Sequence, residues 1–337
     1  MKAIVYDQPG LPIDDPRSLY EAEMDKPVPG ARDLLVKIQA IAVNPVDSKL
    51  RQGMPTPAPR ILGWDAVGIV EAVGDGVTGF SPGDLVWYAG DITRPGCYAE
   101  YGLVDERIAA PRPASISAAE AASLPLTSIT AWELLFDRLK VAEGAGQGQS
   151  LLIIGAAGGV GSILVQLARQ LTQLTIIGTA SRPQTQKWVS ELGAHHVIDH
   201  SQPLQTQLAA LELPQVDHVI SLPHTEHYYP QLIDVLKPQG QLALIDDPTS
   251  LDAMPLKRKS ISLHWEFMFT RSMYRTADQN QQRALLARVA ALIDSGVLRS
   301  TVGEHLGALS ADNLRRAHAL IESGKAQGKI VLEQSPS

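Results

Sequence analysis

The stretch LLIIGAAGGVGSILVQLARQL, from Leu151 to Leu171, changes its hydrophobic period part of the way along. It begins with four apolar residues in a row, which is typical of a strand buried on both faces of a sheet. Glycines then stand at positions 155, 158, 159 and 161, and the apolar residues after them recur at helical spacing. The stretch therefore predicts a buried strand, a tight turn and an amphipathic helix.

The glycines make this turn a candidate site for the pyrophosphate of a dinucleotide. Glycine lets the backbone approach a ligand closely, and the first N–H groups of a helix attract an anion. The sequence AAGGVG at 156–161 has alanine in the first place of the usual G-x-G-x-x-G pattern, and a glycine-rich loop without a ligand is the alternative. The residues expected to contact the cofactor are Ala157, Gly158, Gly159 and Val160.

The sequence pattern changes near Thr127. Before it, short strand-like segments separated by Gly/Pro turns predict a β-rich domain. After it, apolar strands alternate with helices, which predicts a doubly wound α/β domain with a parallel sheet. The strands predicted there are 151–154, 174–179, 196–198, 216–221 and 241–245. The helices predicted between them include 184–192 and 228–236.

Composition limits the partners and the compartment. A chain of 337 residues suits two domains, and a net charge of −7 gives no reason to expect nucleic acid or an anionic membrane as a partner. No apolar stretch is long enough to span a bilayer, and the first residues lack the apolar region of a signal peptide. The single cysteine, Cys97, rules out an intramolecular disulfide. These observations predict a cytoplasmic protein.

The residues after the second strand of the α/β domain favour NADPH over NADH. A carboxylate at this place binds the 2′-OH of the adenine ribose and repels a 2′-phosphate. Here no acidic residue occurs until Glu191, whereas Ser181, Arg182 and Lys187 can bind a phosphate. The alternative is that the two basic residues are ordinary solvent-exposed side chains.

Several short motifs follow one another in a fixed order along nearly the whole chain. They are Val43–Asp47, Leu62–Gly68, Pro82–Asp84, Tyr98–Tyr101, Leu124–Thr127, Ala156–Gly161, Leu192–Ala194 and Gly328–Val331. With these motifs the chain resembles the medium-chain dehydrogenase/reductase superfamily, most of all its quinone oxidoreductase branch and the bacterial "zinc-type alcohol dehydrogenase-like" subgroup. The resemblance implies a GroES-like catalytic domain from residues 1–126 and 267–337, a Rossmann domain from residues 127–266, NADPH as cofactor, and a homodimer or homotetramer.

The same resemblance raises the question of a metal. Zinc-dependent members bind catalytic zinc through two cysteines and a histidine, and the matching positions here are Asn44, Trp64 and Leu126. Amide, indole and isobutyl groups do not replace thiolate and imidazole ligands. We therefore expect no metal, and hydride transfer from NADPH to an acceptor that already delocalises negative charge, a quinone or an α,β-unsaturated carbonyl compound. A zinc alcohol dehydrogenase and a non-catalytic NADPH-binding redox sensor are the alternatives.

Four residues are candidates for the catalytic site. Asn44 is the expected donor to the developing oxyanion, with a turn role before Pro45 as the alternative. Trp64 is expected to line the acceptor pocket, although a core role fits it nearly as well. Asp47 is a candidate for orienting neighbours or relaying a proton, or else for bracing a loop, and Asp65 has the same two interpretations.

The fourth candidate is Thr130, which matches a family threonine beside the nicotinamide; a residue at a helix N-terminus is the alternative. Thr127 is its neighbour, with the same two interpretations, and is also a candidate for cofactor binding.

Overall fold

The computed structural model describes residues 1–334 of the chain. They form two compact units: residues 1–129 together with those from 269 onward, and residues 130–268. The boundaries expected from the resemblance, after residues 126 and 266, lie a few residues earlier. No helix in the described part of the chain is long and apolar enough to cross a membrane.

The strands follow one another through most of the first part of the chain and alternate with helices from β9 to α7. In chain order the strands are β1 (Lys2–Tyr6), β2 (Tyr20–Glu23), β3 (Asp33–Val43), β4 (Arg60–Ile61), β5 (Ala66–Val73), β6 (Leu85–Tyr88), β7 (Tyr101–Asp105), β8 (Ala109–Pro111), β9 (Ser150–Ile154), β10 (Thr175–Thr179), β11 (His196–Ile198), β12 (Val216–Ser221), β13 (Leu236–Leu244), β14 (Ser262–Trp265), β15 (Val302–Ala308) and β16 (Lys329–Glu333). The α-helices are α1 (Pro45–Gly53), α2 (Ala118–Ala122), α3 (Pro125–Trp132), α4 (Gly159–Leu171), α5 (Pro183–Glu191), α6 (Leu204–Ala210), α7 (Thr225–Val235), α8 (Thr270–Met273), α9 (Gln281–Asp294) and α10 (Ala311–Glu322). A π-helical turn, Glu133–Arg138, and short 3-10 turns complete the secondary structure.

The second unit contains a six-stranded sheet in the order β11-β10-β9-β12-β13-β14, in which every pair is parallel. All residues of β9 are buried, as its continuous apolar run predicts. Side chains of β9, β10, β12 and β13 form one core cluster with α6 and α7. The predicted doubly wound parallel sheet is confirmed.

The first unit is built on β3, an eleven-residue strand that is buried along most of its length. It pairs antiparallel with β5, β7 and β16, so a strand near residue 330 joins strands from the first part of the chain in one sheet. The sheet order is β15-β16-β3-β5-β6-β8, and a small sheet of β2, β1 and β4 completes the unit. The β-rich character predicted for the first part of the chain is confirmed.

One predicted helix needs correction, and one helix was not predicted. The helix predicted over 228–236 runs over Thr225–Val235, and Leu236 already belongs to β13, because this strand begins before the Pro-Gln-Gly segment at 238–240. The helix α1 was not predicted, although Asn44 as its N-cap and Pro45 at its first position are ordinary helix-start signals. The turn role for Asn44 is therefore, in detail, an N-cap role.

Candidate active site

The glycine turn, residues 155–158, joins β9 to α4 in the second unit. Gly155 has a φ of 81°, a left-handed value that glycine adopts without strain. A Cβ on Gly161 would lie 2.5 Å from the Gly155 carbonyl oxygen, so the helix packs on the turn only with glycine there. A Cβ on Gly158 would lie 3.6 Å from that oxygen, an ordinary contact. Packing thus accounts for Gly155 and Gly161 but does not require Gly158.

The first turn of α4 presents its backbone N–H groups at this place. Gly158 is the N-cap, and the first hydrogen bond of the helix runs from the Ser162 N–H to the Gly158 carbonyl oxygen at 2.9 Å. The three amides between them have no acceptor within the helix, as at any helix start. The four residues predicted to hold the pyrophosphate are all partly exposed in this turn. The arrangement suits an anion.

The position of the turn in the sheet also suits a ligand. From β9 the chain goes on to β10 and β11 on one side of the sheet and returns to β12, β13 and β14 on the other. In open parallel sheets, ligands bind outside the carboxyl ends of the strands where the order reverses. The Leu222 N–H donates to the Ile154 carbonyl oxygen at 3.2 Å, so the ends of β9 and β12 are adjacent at the turn.

The residues proposed for the 2′-phosphate separate into two groups. Ser181 is exposed and Arg182 is half-buried, directly after β10, where Arg182 is the N-cap of α5. Lys187 lies farther along α5 with 78% of its side chain exposed, and its Nζ is 3.7 Å from a carboxylate oxygen of Glu191. The structure therefore brings Ser181 and Arg182 to the strand end, whereas Lys187 forms an exposed ion pair on the helix.

The three positions that the resemblance matches to zinc ligands are all buried in the first unit. Asn44 Nδ2 donates to Asp65 Oδ2 at 2.8 Å, and the backbone N–H of Leu126 donates to Asp65 Oδ1 at 2.8 Å. Trp64 Nε1 donates to the Asp91 carbonyl oxygen at 3.1 Å, and its ring packs edge-on against Phe269. The Asn44 amide nitrogen, the Trp64 indole nitrogen and the Leu126 backbone N–H thus each have a hydrogen-bond partner within the protein.

These residues do not fit a zinc ion. Zinc is bound by thiolate, imidazole or carboxylate groups, and none of the three side chains is one of these. Burial raises the pKa of Cys97, whose Sγ donates to the Asp65 carbonyl oxygen, so this residue stays a protonated thiol. Among residues 1–334 there is no cluster of three His, Cys, Asp or Glu residues that could hold a metal.

A buried lysine completes the surroundings of Asn44. Lys329 begins β16, and because Ile330 pairs with Val43 at the end of β3, the lysine side chain reaches the start of α1. Its Nζ donates to the Val43 carbonyl oxygen at 3.0 Å, to Asp65 Oδ2 at 3.0 Å and to Asn44 Oδ1. Burial raises the pKa of Asp65, and the ammonium group opposes that rise.

Asp47 extends this cluster to a tyrosine and a histidine. Its Oδ2 accepts from the Asn44 N–H at 2.8 Å and from the Tyr98 hydroxyl at 2.7 Å, while Oδ1 has no partner among the described residues. Burial raises the pKa of Asp47 to about 7 and lowers that of His318 to about 3. Because Tyr98 gives its one proton to Asp47, His318 Nε2, 3.3 Å away, is the donor to the tyrosine oxygen. We call Asn44, Asp47, Asp65, Tyr98, His318 and Lys329 the Asn44 network.

The two candidate threonines lie three residues apart on α3. Both are buried. Thr127 lies in the first turn of α3, and its hydroxyl donates to the carbonyl oxygens of Ser123 and Leu124, just before the helix, at 3.4 and 3.3 Å. Thr130 is also in the helix interior, not at its N-terminus. The helix-start interpretation is therefore wrong for Thr130.

Sequence reasoning missed three members of the network. Lys329, Tyr98 and His318 lie in motifs or helices to which no chemistry was assigned. Only Lys329 carries a usable signal: it precedes the apolar run Ile-Val-Leu of a buried strand, where a lysine needs a partner. Tyr98 and His318 have no comparable mark, because their partners lie far away in the sequence.

Comparison with known families covers most of the chain in two segments. Residues 30–114 match the "Alcohol dehydrogenase GroES-like domain" family, and residues 192–332 match the "Zinc-binding dehydrogenase" family. The second segment begins after all three of the positions matched to zinc ligands. The GroES-like domain predicted for the N-terminal part is confirmed.

Full-length relatives are similar to the chain from end to end. A zinc-type alcohol dehydrogenase-like protein of Staphylococcus aureus strain MRSA252 is 43% identical, with 98% of this chain and 99% of the relative covered. A quinone oxidoreductase of Lama guanicoe is 28% identical, with coverage of 93% and 92%. A 2-methylene-furan-3-one reductase of Solanum lycopersicum is 30% identical, with coverage of 94% and 76%.

Solved structures show the same architecture. A Rhizobium etli CFN 42 protein described as a zinc-dependent alcohol dehydrogenase has a TM-score of 0.96 and 52% identity, with 100% and 99% of the two chains covered. The Escherichia coli quinone oxidoreductase in complex with NADPH has a TM-score of 0.85 and 26% identity, with coverage of 99% and 100%.

Proposed function

The chain belongs to the medium-chain dehydrogenase/reductase superfamily, with quinone oxidoreductases among its relatives, and from this membership we propose that it is an NADPH-dependent reductase of quinones or α,β-unsaturated carbonyl compounds. We propose further that its hydride transfer needs no metal. One observation carries this: an amide, an indole and an isobutyl group stand at the three positions matched to zinc ligands, and none of them binds zinc.

The acceptor class follows from the chemistry of these side chains. A zinc ion makes a simple carbonyl reactive by drawing charge onto its oxygen. Where side chains offer only hydrogen bonds, the easier acceptor is one that spreads the incoming negative charge over a conjugated system. Quinones and enones meet this requirement. Relatives named quinone oxidoreductase and 2-methylene-furan-3-one reductase support it.

We propose NADPH as the cofactor. The free amides at the start of α4 suit its pyrophosphate, and Ser181 and Arg182 suit a 2′-phosphate at the end of β10. The E. coli relative was solved with NADPH, which supports the same choice. Thr130 and Thr127 are proposed to lie beside the nicotinamide, which supplies the hydride when it is bound.

For the acceptor we propose Asn44 as the hydrogen-bond donor and Trp64 as a wall of the pocket. Asn44 Nδ2 has two N–H groups, and only one of them is used by Asp65. A donor of this kind stabilises the oxyanion that forms when hydride adds to the acceptor. Asp47 is proposed to hold Asn44 and Tyr98 in place, since it accepts a hydrogen bond from each.

We also propose that the protein works in the cytoplasm as a homodimer or homotetramer. The family resemblance supports the assembly. The one cysteine, buried as a thiol, is compatible with a reducing compartment. Light scattering coupled to size-exclusion chromatography would give the mass, and a monomer would contradict this part of the proposal.

One preparation of the protein can test the function. Turnover is measured with NADPH and NADH against a panel of benzoquinones, naphthoquinones, enones, saturated aldehydes and alcohols, and metal content is measured by elemental analysis. We expect turnover of quinones or enones with NADPH and less than stoichiometric zinc. One zinc per chain, with activity lost to a chelator and restored by zinc, would overturn the metal-free mechanism. NADPH binding without turnover of any acceptor would support a sensor instead.

A further inference from the structure

Lys329 is a fully buried cation that the proposed reaction does not use. Only 3% of its surface is exposed, and its ammonium group bonds one backbone carbonyl, one carboxylate and one amide oxygen. Burial of a charge is costly unless the charge is paired and hydrogen-bonded, and Asp65 provides the counter-charge. The pair is neutral overall, which is compatible with its place in the core.

The pair fixes which way the Asn44 amide points. An ammonium group can only donate, so it must face Oδ1; the Asp65 carboxylate can only accept, so it must face Nδ2. The amide cannot flip without placing donor against donor and acceptor against acceptor. The remaining Nδ2 proton of Asn44 has no acceptor among residues 1–334. Its direction is therefore set by groups on two other segments of the chain.

The ammonium group also changes the strength of that donor. A cation bonded to an amide oxygen draws electron density from the nitrogen, so the N–H groups become better donors, and hydrogen bonds in a low-dielectric interior reinforce one another in this way. A positive charge can thus act through the amide on whatever the second N–H binds.

We propose that Lys329 is a positioning residue for the reaction: its ammonium group orients and polarises the Asn44 amide, whose free N–H stabilises the oxyanion formed by hydride addition. The inference rests on the function proposed above. A positive charge then acts at Asn44, the position matched to the first zinc ligand, and it comes from a lysine of β16 instead of a metal ion.

The simplest variant, Lys329→Met, leaves the Asp65 carboxylate buried without a counter-charge and should destabilise the folded protein. The double variant Lys329→Met/Asp65→Asn removes both charges. The one oxygen of its new amide can accept from the Leu126 N–H, and its NH2 can donate to Asn44 Oδ1 once the Asn44 amide, no longer held by the ammonium group, turns over. We expect the double variant to fold, to bind NADPH with unchanged affinity, and to lose about tenfold in kcat for a quinone. Circular dichroism, the Kd for NADPH and kcat are measured on each protein.

A combination with Asn44→Ala distinguishes a positioning role from a structural one. If Lys329 acts through the amide, adding Lys329→Met/Asp65→Asn to Asn44→Ala changes kcat by less than about twofold, because the group it acts through is already gone. A purely structural pair would lower kcat by the same factor in both backgrounds. Equal factors, or an unchanged kcat in the folded double variant, would overturn the inference.

Lys259 offers a matched control. Its Nζ also donates to three oxygens, the backbone carbonyls of Ile233, Asp234 and Leu236 at 2.8, 2.8 and 2.7 Å. Lys259→Met should lower Tm and leave kcat unchanged. If the unmodified protein reduces no quinone or enone, the proposed function fails. If it does so and the variants behave additively, only the role of Lys329 fails.

Discussion

The glycine turn offers backbone N–H groups from one contiguous segment, whereas the Asn44 network offers one side-chain N–H held by residues from widely separated segments. The turn carries no side-chain charge at its N–H groups and is partly exposed. The network is buried and contains Asp47, Asp65 and Lys329. Backbone donors depend on local conformation and on space for the ligand. A side-chain donor depends on charge balance and on orientation by distant partners.

This difference predicts two kinds of response to mutation. Changes in the second unit, at the turn and after β10, should alter cofactor affinity and leave the chemical step of the bound complex nearly unchanged. Changes in the Asn44 network should alter kcat and leave cofactor affinity nearly unchanged, since such a donor matters more in the transition state than in the ground state. A variant that lowers kcat and cofactor affinity by the same factor would contradict this distinction.

The largest effect is expected for Asn44→Ala. It removes the proposed oxyanion donor, and we expect kcat to fall by up to about a hundredfold, because a quinone spreads its charge and weakens the dependence on any one donor. The Kd for NADPH should change little. Steady-state kinetics with one quinone and fluorescence titration with NADPH measure the two quantities.

The N-cap position of Asn44 needs its own control. Ser117→Ala removes another N-cap of the first unit, where the serine oxygen accepts from the Glu120 N–H, and it should cost about 1 kcal/mol of stability without a change in kcat. If Asn44→Ala lowers Tm and its loss of activity follows the unfolded fraction, Asn44 is a helix cap only. A folded variant with full turnover would remove Asn44 from the mechanism.

The next largest effect is expected for Arg182→Ala. Loss of a charge-assisted contact to the 2′-phosphate should weaken NADPH binding by about tenfold or more and leave NADH binding unchanged. Lys187→Ala is the matched control, because that side chain is mostly exposed and paired with Glu191, and its effect should be only a few-fold. Equal affinity of the unmodified protein for both nucleotides would contradict the NADPH assignment.

A smaller and less selective effect is expected for Gly158→Ala. The added methyl group meets no protein atom closer than 3.6 Å, so the fold should be retained, but the methyl group would lie at the proposed pyrophosphate site. NADPH and NADH should both bind about tenfold more weakly. Gly161→Ala, whose methyl group would meet backbone at 2.5 Å, should instead destabilise the protein. Unchanged affinity in Gly158→Ala would remove the turn from the cofactor site.

The turn could be predicted from the sequence because all of its determinants are local. The apolar run before it, the glycines and the helical period after it lie within about twenty consecutive residues. Each of these features predicts the backbone conformation of its own segment. The parallel sheet follows in the same way from alternating strands and helices. The structure adds that glycine at 161 is required by packing, which a sequence pattern cannot distinguish from a need for ligand space.

The Asn44 network could be predicted only in part. Asn44 is the N-cap of α1 and stands at a position matched to a zinc ligand. Asp47 lies in the first turn of the same helix, so both can be found by local reasoning. Lys329 meets them only because β16 pairs with β3, a contact across nearly the whole chain. No local pattern encodes that register, and no spacing rule links a lysine near the end of the chain to an asparagine near its start. The bond from Tyr98 to Asp47 is undetectable for the same reason, whereas the bond from the Asn44 N–H spans only three residues.

The smallest effect concerns the stability of the network as pH changes. Burial raises the pKa of Asp47 from its ordinary 3.8 to about 7, so between these values the folded protein holds a proton that the unfolded chain has lost. The contribution of Asp47 to the free energy of unfolding is therefore full below pH 4 and is lost as pH rises toward 7.

Asp47→Asn should remove this dependence, because asparagine keeps an oxygen that can accept from the Asn44 N–H and the Tyr98 hydroxyl but does not titrate. Relative to the unmodified protein, its Tm should therefore be several degrees higher at pH 8 than it is at pH 5. The control is Asp278→Asn: hydrogen bonds from Thr276 and Arg271 hold the pKa of Asp278 below its usual range, so its Tm offset should be the same at both values. Thermal unfolding at pH 5 and pH 8 measures all three proteins.

An offset for Asp47→Asn that does not change between the two pH values would mean that Asp47 is ionised throughout, held in that state by Tyr98, the Asn44 N–H and Lys329. The network would then carry a net negative charge in the core at pH 5 as well as at pH 8, and that charge would weaken its donor toward an oxyanion.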